Sequence, residues 1–329
     1  MRIFKKLLPL LIGFALFLGF NGLMNYFVIP YQFTRVKIHR IETKDYQDLI
    51  LGSSHANSAL NPSVMKEKTG RKGFNAAAGG QFPMDNYFLL RDVLKKHPAE
   101  RVILEYDPTY WLIWDSFNRT ARYQLSVMEP SVVKLAYFAE LCLPGDLRYV
   151  FLPWSLYDIN IERMKEIVEG KHSKAYRKYS FRFFNNDTQT FHKDGFLALK
   201  DYAASDKSTP QYSFDKGTEE NVKKNRKQFE RILKLCRERD IEVVVVTTPV
   251  PPATFSENEA FYVEAHEMMQ ELLQPYGYRF LDFVAPEETE ETASYAGAWD
   301  SDDFSDGEGH MRVSAANEFS AVVGEMLGV

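Results

Sequence analysis

The chain has 329 residues, of which 45% are hydrophobic and 26% are charged, so it is long enough for one large core with an insertion. Its formal net charge of −5 lacks the basic signature of nucleic-acid-binding proteins, so no nucleic-acid partner is expected. Two cysteines are too few for a disulfide framework or a cysteine-rich metal site. We therefore expect neither a metal nor a cofactor.

The first predicted element is an apolar helix within residues 1–30. Arg2, Lys5 and Lys6 precede it, and the next charged residue is Arg35. Since about 20 apolar residues can cross a bilayer as a helix, an uncleaved transmembrane anchor is the favoured interpretation. A cleaved signal peptide and a buried soluble helix are the alternatives, although no small-residue cleavage site follows the apolar stretch. The basic residues predict a single-pass cell-membrane protein with a cytoplasmic N-terminus and an extracytoplasmic remainder.

Residues 31–329 have the pattern of one α/β domain. Five short apolar runs, which helical patterns separate, are predicted to be strands: 48–52, 72–75, 101–106, 241–249 and 278–283. This alternation predicts a mostly parallel sheet that is covered by helices. An aromatic-rich insertion at about 109–213 interrupts the alternation. Since ligands of such sheets bind beyond the carboxyl ends of the strands, an active site is expected there.

The turn after the first predicted strand carries a candidate nucleophile. Gly52 permits a sharp change from strand to helix, and Ser53 and Ser54 follow it directly. A serine exposed at such a turn attacks a carbonyl group once a base removes its proton. The alternative is that both serines only cap the next helix, and His55 either lines this site or has a capping or surface role.

A candidate base, His310, lies near the end of the chain. Histidine accepts a proton near neutral pH, and an acid on its other ring nitrogen fixes the tautomer. Asp306 is the preferred acid, with Glu308 second and Asp303 third. The other histidines are scattered through the sequence without the spacing of metal ligands, so no metal site is expected among them.

Together these motifs resemble the SGNH (GDSL-like) hydrolase superfamily, in particular its membrane-anchored branch of DltD-like and cell-surface polysaccharide O-acetylation proteins. The Gly-Ser-Ser turn is similar to the first block of that branch, which implies that Ser54 rather than Ser53 is the nucleophile. Residues 75–80 look like the second block. The resemblance implies that the N–H of Gly80, or of Gly79 as its substitute, joins the N–H of Ser54 in an oxyanion hole. It also implies a three-layer, flavodoxin-like sandwich.

The chain departs from the family pattern in two places. The third block normally supplies an asparagine to the oxyanion hole, but residues 105–108 read Glu-Tyr-Asp-Pro, so one donor is missing or replaced. Such a donor is worth roughly 3 kcal/mol of transition-state stabilisation. The last block normally has an aspartate three residues before the histidine, where this chain has Gly307.

The resemblance and the predicted anchor imply an exported serine esterase or O-acyltransferase that acts on acyl groups of a cell-envelope glycan through an acyl-serine intermediate. The implied partners are the glycan or an acyl donor, the membrane, and as a further candidate a membrane-bound O-acyltransferase. The rival interpretation is a non-catalytic accessory protein that binds a glycan or partners a membrane acyltransferase. The departures in the third and last blocks favour this rival, whereas the retained Ser54 and His310 favour an enzyme.

Overall fold

The computed structural model of the chain describes residues 2–114, 118–143, 151–202, 207–215 and 217–328, with side chains from Leu7 onward. The basic side chains on which the orientation prediction depends, those of Arg2, Lys5 and Lys6, therefore lie outside the described part. The strands are β1 (Asp48–Leu51), β2 (Gly73–Asn75), β3 (Arg101–Glu105), β4 (Gln189–Phe191), β5 (Leu197–Leu199), β6 (Glu242–Val246) and β7 (Arg279–Leu281). The α-helices are α1 (Arg2–Val28), α2 (Thr34–Thr43), α3 (Ser54–Ala59), α4 (Pro62–Thr69), α5 (Pro83–Val93), α6 (Arg119–Val127), α7 (Val132–Cys142), α8 (Ile161–His172), α9 (Lys174–Arg177), α10 (Glu219–Glu238), α11 (Pro252–Leu273) and α12 (Val313–Leu327).

Five strands form one parallel sheet in the order β2–β1–β3–β6–β7. The prediction of an α/β fold with a mostly parallel sheet is therefore confirmed. In the register of the sheet, Ile50 of β1 lies opposite Asn75 of β2 on one side and Ile103 of β3 on the other. The chain passes from β1 outward to β2 and then back across β1 to β3. This change of direction opens a crevice at the carboxyl ends of β1 and β3, where such sheets bind ligands.

Both faces of the sheet are buried, because successive residues of each strand point to opposite sides. Leu49 and Leu51 belong to an apolar cluster that also contains Phe88 of α5 and Phe229 of α10. Ile50, between them, belongs to a second cluster with residues of α4 and α12. The sheet is thus held between two sets of helices, and its strand ends are fixed in position.

The N-terminal helix α1 stands apart from this core. Its stretch Leu7–Val28 is long and apolar enough to cross a membrane, and the most apolar part of it is unburied. Leu10 and Leu16 expose 70% and 69% of their surface, whereas a core helix would bury its large apolar side chains. The prediction of an N-terminal helix that can span a membrane is confirmed to this extent.

Part of the predicted insertion returns to the edge of the sheet as the antiparallel hairpin β4–β5. The backbone N–H of Asn75 donates to the carbonyl of Asp194, in the turn of this hairpin, at 2.7 Å. Gly195 follows, and an added Cβ there would lie 3.0 Å from the Asn75 carbonyl carbon, so only glycine fits. The hairpin therefore covers the β2 edge, which would otherwise offer unpaired backbone groups to another chain.

Candidate active site

The turn between β1 and α3 depends on a glycine without room for a side chain. Gly52 has φ near +151°, and a Cβ added to it would lie 2.7 Å from the Cβ of Glu105. The backbone N–H of the next residue, Ser53, donates to the carboxylate of Glu105 at 2.6 Å. The end of β3 thus fixes the point at which the chain leaves β1.

The two serines of this turn have different surroundings. Ser53 is buried, and its Oγ accepts a hydrogen bond from the backbone N–H of His55 at 3.0 Å, so it caps α3. Ser54 is the first residue of α3 and is half-buried. Its hydroxyl makes no hydrogen bond to any described residue. The cap is therefore occupied by Ser53, and the Ser54 hydroxyl is the one available for chemistry.

The glycine pair after β2 lies beside this turn. A Cβ added to Gly79 would lie 3.7 Å from the Cβ of Ser54. Gly80 instead faces α6: its carbonyl accepts from Asn118 Nδ2 at 2.9 Å, and Thr120 is its nearest neighbour. Within the described residues, neither glycine donates its backbone N–H to an acceptor. The geometry thus places the substitute Gly79, rather than the preferred Gly80, next to Ser54.

The predicted acid and base form a hydrogen-bonded pair. His310 Nδ1 and Asp306 Oδ2 are 2.7 Å apart. The other carboxylate oxygen of Asp306 accepts from the backbone N–H groups of Glu308, Gly309 and His310. Burial alone would raise the pKa of Asp306, but the hydrogen bonds and the neighbouring imidazole lower it to about 2. Asp306 is therefore an anion that fixes the orientation of the His310 ring.

The spacing of this pair has a steric cause. A Cβ added to Gly307, the position of the family aspartate, would lie 2.8 Å from the carbonyl carbon of Ser208. No acidic side chain fits there, and the acid lies one residue earlier instead. Glu308, the second candidate, is exposed and makes no side-chain contact with His310 among the described residues. The carboxylate of Asp303, the third candidate, accepts a hydrogen bond from the backbone N–H of Asp300 and so caps a short 3-10 helix.

The two candidate elements of the site meet through His55, the residue after Ser54. The ring centroids of His55 and His310 are 4.6 Å apart. The structure thus brings the loop that carries Asp306 and His310 to the turn that carries Ser54. No hydrogen bond joins Ser54 Oγ to His310 in the described part of the chain. Catalytic serine–histidine hydrogen bonds are often formed only when substrate binds, so we expect this bond in the substrate complex.

A second acid–histidine pair, which the sequence had not indicated, lies beside the first. His55 Nδ1 is 3.4 Å from Asp107 Oδ2, and both side chains expose 12% of their surface. Burial lowers the pKa of His55, but the charges of Asp107, Glu105 and Asp306 raise it to about 9. His55 is thus an imidazolium at neutral pH, and its buried Nε2 has no hydrogen-bond partner among the described residues.

Glu105 and Asp107 surround this imidazolium from the end of β3. Burial and the charge of Asp107 raise the pKa of Glu105 to about 7, although the Ser53 N–H and His55 oppose that change. Asp107 is held by the Thr109 N–H and hydroxyl at 2.9 and 2.7 Å. Burial would raise the pKa of Asp107, but His55 and Thr109 lower it overall. The strand end without the expected asparagine thus holds a buried cation beside Ser54.

A buried lysine links the site to the segment that follows the anchor. Lys37 of α2 is 1% exposed, and its Nζ donates to Asn57 Oδ1 on α3 at 2.6 Å and to the Ala77 carbonyl. Burial lowers the pKa of Lys37 well below its usual range. Because Ala77 precedes Gly79, Lys37 holds the glycine loop against the helix of Ser54.

The charge of His55 predicts a pH-dependent stability. Because the folded state raises its pKa from 6.5 to about 9, His55 contributes stability that is fully present below about pH 6.5 and is lost as the pH rises through 9. The contribution is at most about 3 kcal/mol. In denaturant titrations of the full chain in detergent, the deficit of the His55→Gln variant should therefore be largest near pH 6 and shrink by pH 9.5.

The Asp107→Asn variant provides the second arm of this experiment. It removes the principal charge that stabilises the imidazolium. Its loss of stability relative to the wild type should therefore also be largest near pH 6 and smaller at pH 9.5. A deficit of His55→Gln that stays constant from pH 6 to pH 9.5 would show that His55 has no raised pKa in the folded protein.

The site was also compared with known proteins. No protein-family model matches the chain, and a search of curated proteins finds no match to it. The SGNH resemblance therefore remains a prediction. It is carried by the Gly-Ser-Ser turn, the glycine pair after β2, and the Asp306–His310 pair.

Proposed function

We propose that this protein is a membrane-anchored serine esterase or O-acyltransferase of the SGNH type, acting on acyl groups of a cell-envelope glycan. The observation that carries the proposal is the 2.7 Å hydrogen bond from Asp306 to His310, whose ring lies 4.6 Å from that of His55, next to Ser54. An anionic acid, an oriented imidazole and an unengaged serine at one strand end are the parts of a nucleophilic acyl-transfer site.

In the first step, Ser54 Oγ attacks the ester carbonyl carbon while His310 Nε2 accepts the hydroxyl proton. The carbonyl oxygen becomes an oxyanion, to which we assign the N–H groups of Ser54 and Gly79, because a Cβ added to Gly79 would lie 3.7 Å from the Ser54 Cβ. The ester C–O bond then breaks, and the leaving alcohol takes the proton from His310.

The second step releases the acyl group from Ser54. A water molecule, or a sugar hydroxyl in the case of transfer, attacks the acyl carbon and gives its proton to His310. The bond from Ser54 Oγ to the acyl group breaks, and His310 returns the proton to Ser54. Asp306 keeps Nδ1 of the ring protonated during both steps.

The finer parts of the proposal have separate support. The glycan substrate follows from the family resemblance. A cytoplasmic N-terminus and an extracytoplasmic domain follow from the basic residues before the exposed apolar helix α1. The three-layer arrangement of the superfamily is supported by the two apolar clusters on opposite faces of the sheet.

A fluorophosphonate probe tests the enzymatic part directly. The full chain, purified in detergent, should form a covalent adduct in which Ser54 Oγ is bonded to phosphorus and fluoride has left. Peptide mass spectrometry should place the label on the peptide that contains Ser54, and heat-unfolded protein should remain unlabelled. Because the reaction requires the assembled base, the folded and unfolded samples form a matched pair.

The opposite result would favour the accessory protein. If the folded chain is not labelled and hydrolyses no activated ester, the site lacks a competent nucleophile. A label on a residue other than Ser54 would overturn the assignment of the nucleophile.

A further inference from the structure

An apolar cavity lies between α6 and α7, away from the candidate active site. Its volume is about 440 Å³, within the range of roughly 300–1,000 Å³ that is usual for small-molecule sites. The side chains that matter most for its character are Ile29, Leu125, Phe138, Cys142 and Leu156. A lining of this kind favours a hydrocarbon over a sugar or a charged ligand.

The C-terminal end of α1 lies beside this cavity. Asn21 Nδ2 donates to the Phe151 carbonyl at 2.7 Å, and Asn25 Oδ1 accepts from the Trp154 N–H at 3.2 Å. Asn21 is seven residues before Val28, so these contacts lie within about 10 Å of the end of the apolar span. If α1 crosses a bilayer with Val28 at the edge of the hydrocarbon layer, Phe151 and Trp154 lie against the acyl chains of that leaflet.

The region around the cavity exposes large apolar side chains. Leu135 of the lining exposes 66% of its surface, and its neighbours in the chain Val132 and Leu143 expose 77% and 61%. Contiguous apolar surface is unfavourable in water but stable in the interfacial layer of a membrane. The exposed apolar side chains and the contacts with α1 therefore both indicate that this face of the domain lies against a lipid leaflet.

Helix α6 lies between the cavity and the candidate active site. At its beginning, Asn118 donates to the Gly80 carbonyl and Thr120 contacts Gly80. Leu125 and Ser126, near its end, line the cavity. Within α6 the lining begins at Arg122, two residues after Thr120, so this helix connects the cavity directly with the glycine loop.

We propose that this cavity binds one hydrocarbon chain of a phospholipid from the bilayer that α1 enters. The proposal rests on the membrane anchoring given under the proposed function. The catalytic domain would then lie against the membrane surface, with the glycine loop held near a bound lipid.

Photo-crosslinking tests this site. The full chain is reconstituted in phosphatidylcholine–phosphatidylglycerol vesicles that contain a trace of phosphatidylcholine with a diazirine in one acyl chain, and is then irradiated. Peptide mass spectrometry should find adducts on α1 and also on Leu125, Phe138 or Cys142, whose side chains face the cavity. The Ser126→Trp variant, which fills the cavity from an exposed position, should lower the cavity adducts at least about fivefold relative to those on α1. Ser126→Ala, which adds no bulk, should retain them.

The outcomes separate the two proposals. Adducts on α1 with none in the cavity, or only on Val132, which is exposed and outside the cavity lining, would overturn the lipid site and leave the anchor intact. Cavity adducts that persist in Ser126→Trp would also overturn it. A chain without adducts on α1 would overturn the anchoring and this site with it, whereas fluorophosphonate labelling of Ser54 reports on the enzyme independently.

Discussion

The Ser54→Ala variant is expected to lose covalent labelling by the fluorophosphonate and to lower kcat for ester turnover by a factor on the order of 10⁶. The hydroxyl that forms the acyl-enzyme is then absent, and the remaining groups can only orient the ester and water. The fold should be retained, because the Ser54 hydroxyl makes no hydrogen bond to a described residue and α3 keeps its cap at Ser53. Steady-state kinetics and thermal unfolding of the full chain in detergent measure the two effects.

Ser53→Ala is the matched control for this experiment. The Ser53 hydroxyl accepts from the His55 N–H, so its loss should cost about 1 kcal/mol of stability while labelling persists. If Ser53→Ala loses labelling and Ser54→Ala retains it, the nucleophile is Ser53 and the assignment to Ser54 is wrong.

The Asp306→Asn variant should lower kcat by about 10⁴-fold with little change in fold. An asparagine amide oxygen can still accept from the backbone N–H groups of Glu308, Gly309 and His310, so the loop keeps its conformation. The amide lacks the charge that stabilises an imidazolium, and its NH₂ group can stabilise the wrong tautomer of His310. Kinetic assays across pH, with circular dichroism as the check on folding, measure this change.

Glu308→Gln distinguishes the two candidate acids. Glu308 is an exposed residue of the cleft beside His55 and makes no hydrogen bond to His310 among the described residues, so its replacement should change kcat by less than about threefold. If Asp306→Asn and Glu308→Gln lower kcat equally, the hydrogen bond between Asp306 and His310 does not identify the catalytic acid.

The strands of the sheet could be predicted because each of them is an apolar run between helical patterns. The run 241–249, for example, yields β6 (Glu242–Val246), an interior strand of the parallel sheet between β3 and β7. The position of the acid was harder to predict. Position 307 has no room for a side chain because the backbone of Ser208 lies against it, and Ser208 is about one hundred residues earlier in the chain. Sequence spacing alone kept both Asp306 and Glu308 open.

The imidazolium cluster lay beyond sequence reasoning, since it requires the pairing of β1 with β3. His55 follows one strand and Asp107 follows the other, and only their parallel register places the two side chains 3.4 Å apart. A detectable signal existed in the acids Glu105 and Asp107 at the end of an apolar strand. Lys37 gave no signal, because its partners come from α3 and the loop after β2.

The position of Lys37 has a practical consequence for any soluble form of this protein. Helix α2 follows the apolar span after only a few residues, yet its Val36, Ile38 and Ile41 are buried in the main core. A truncation that removes α1 and stops before Thr34 keeps these side chains and the lysine that holds the glycine loop. A truncation that begins at β1 would delete part of the α/β domain together with α1.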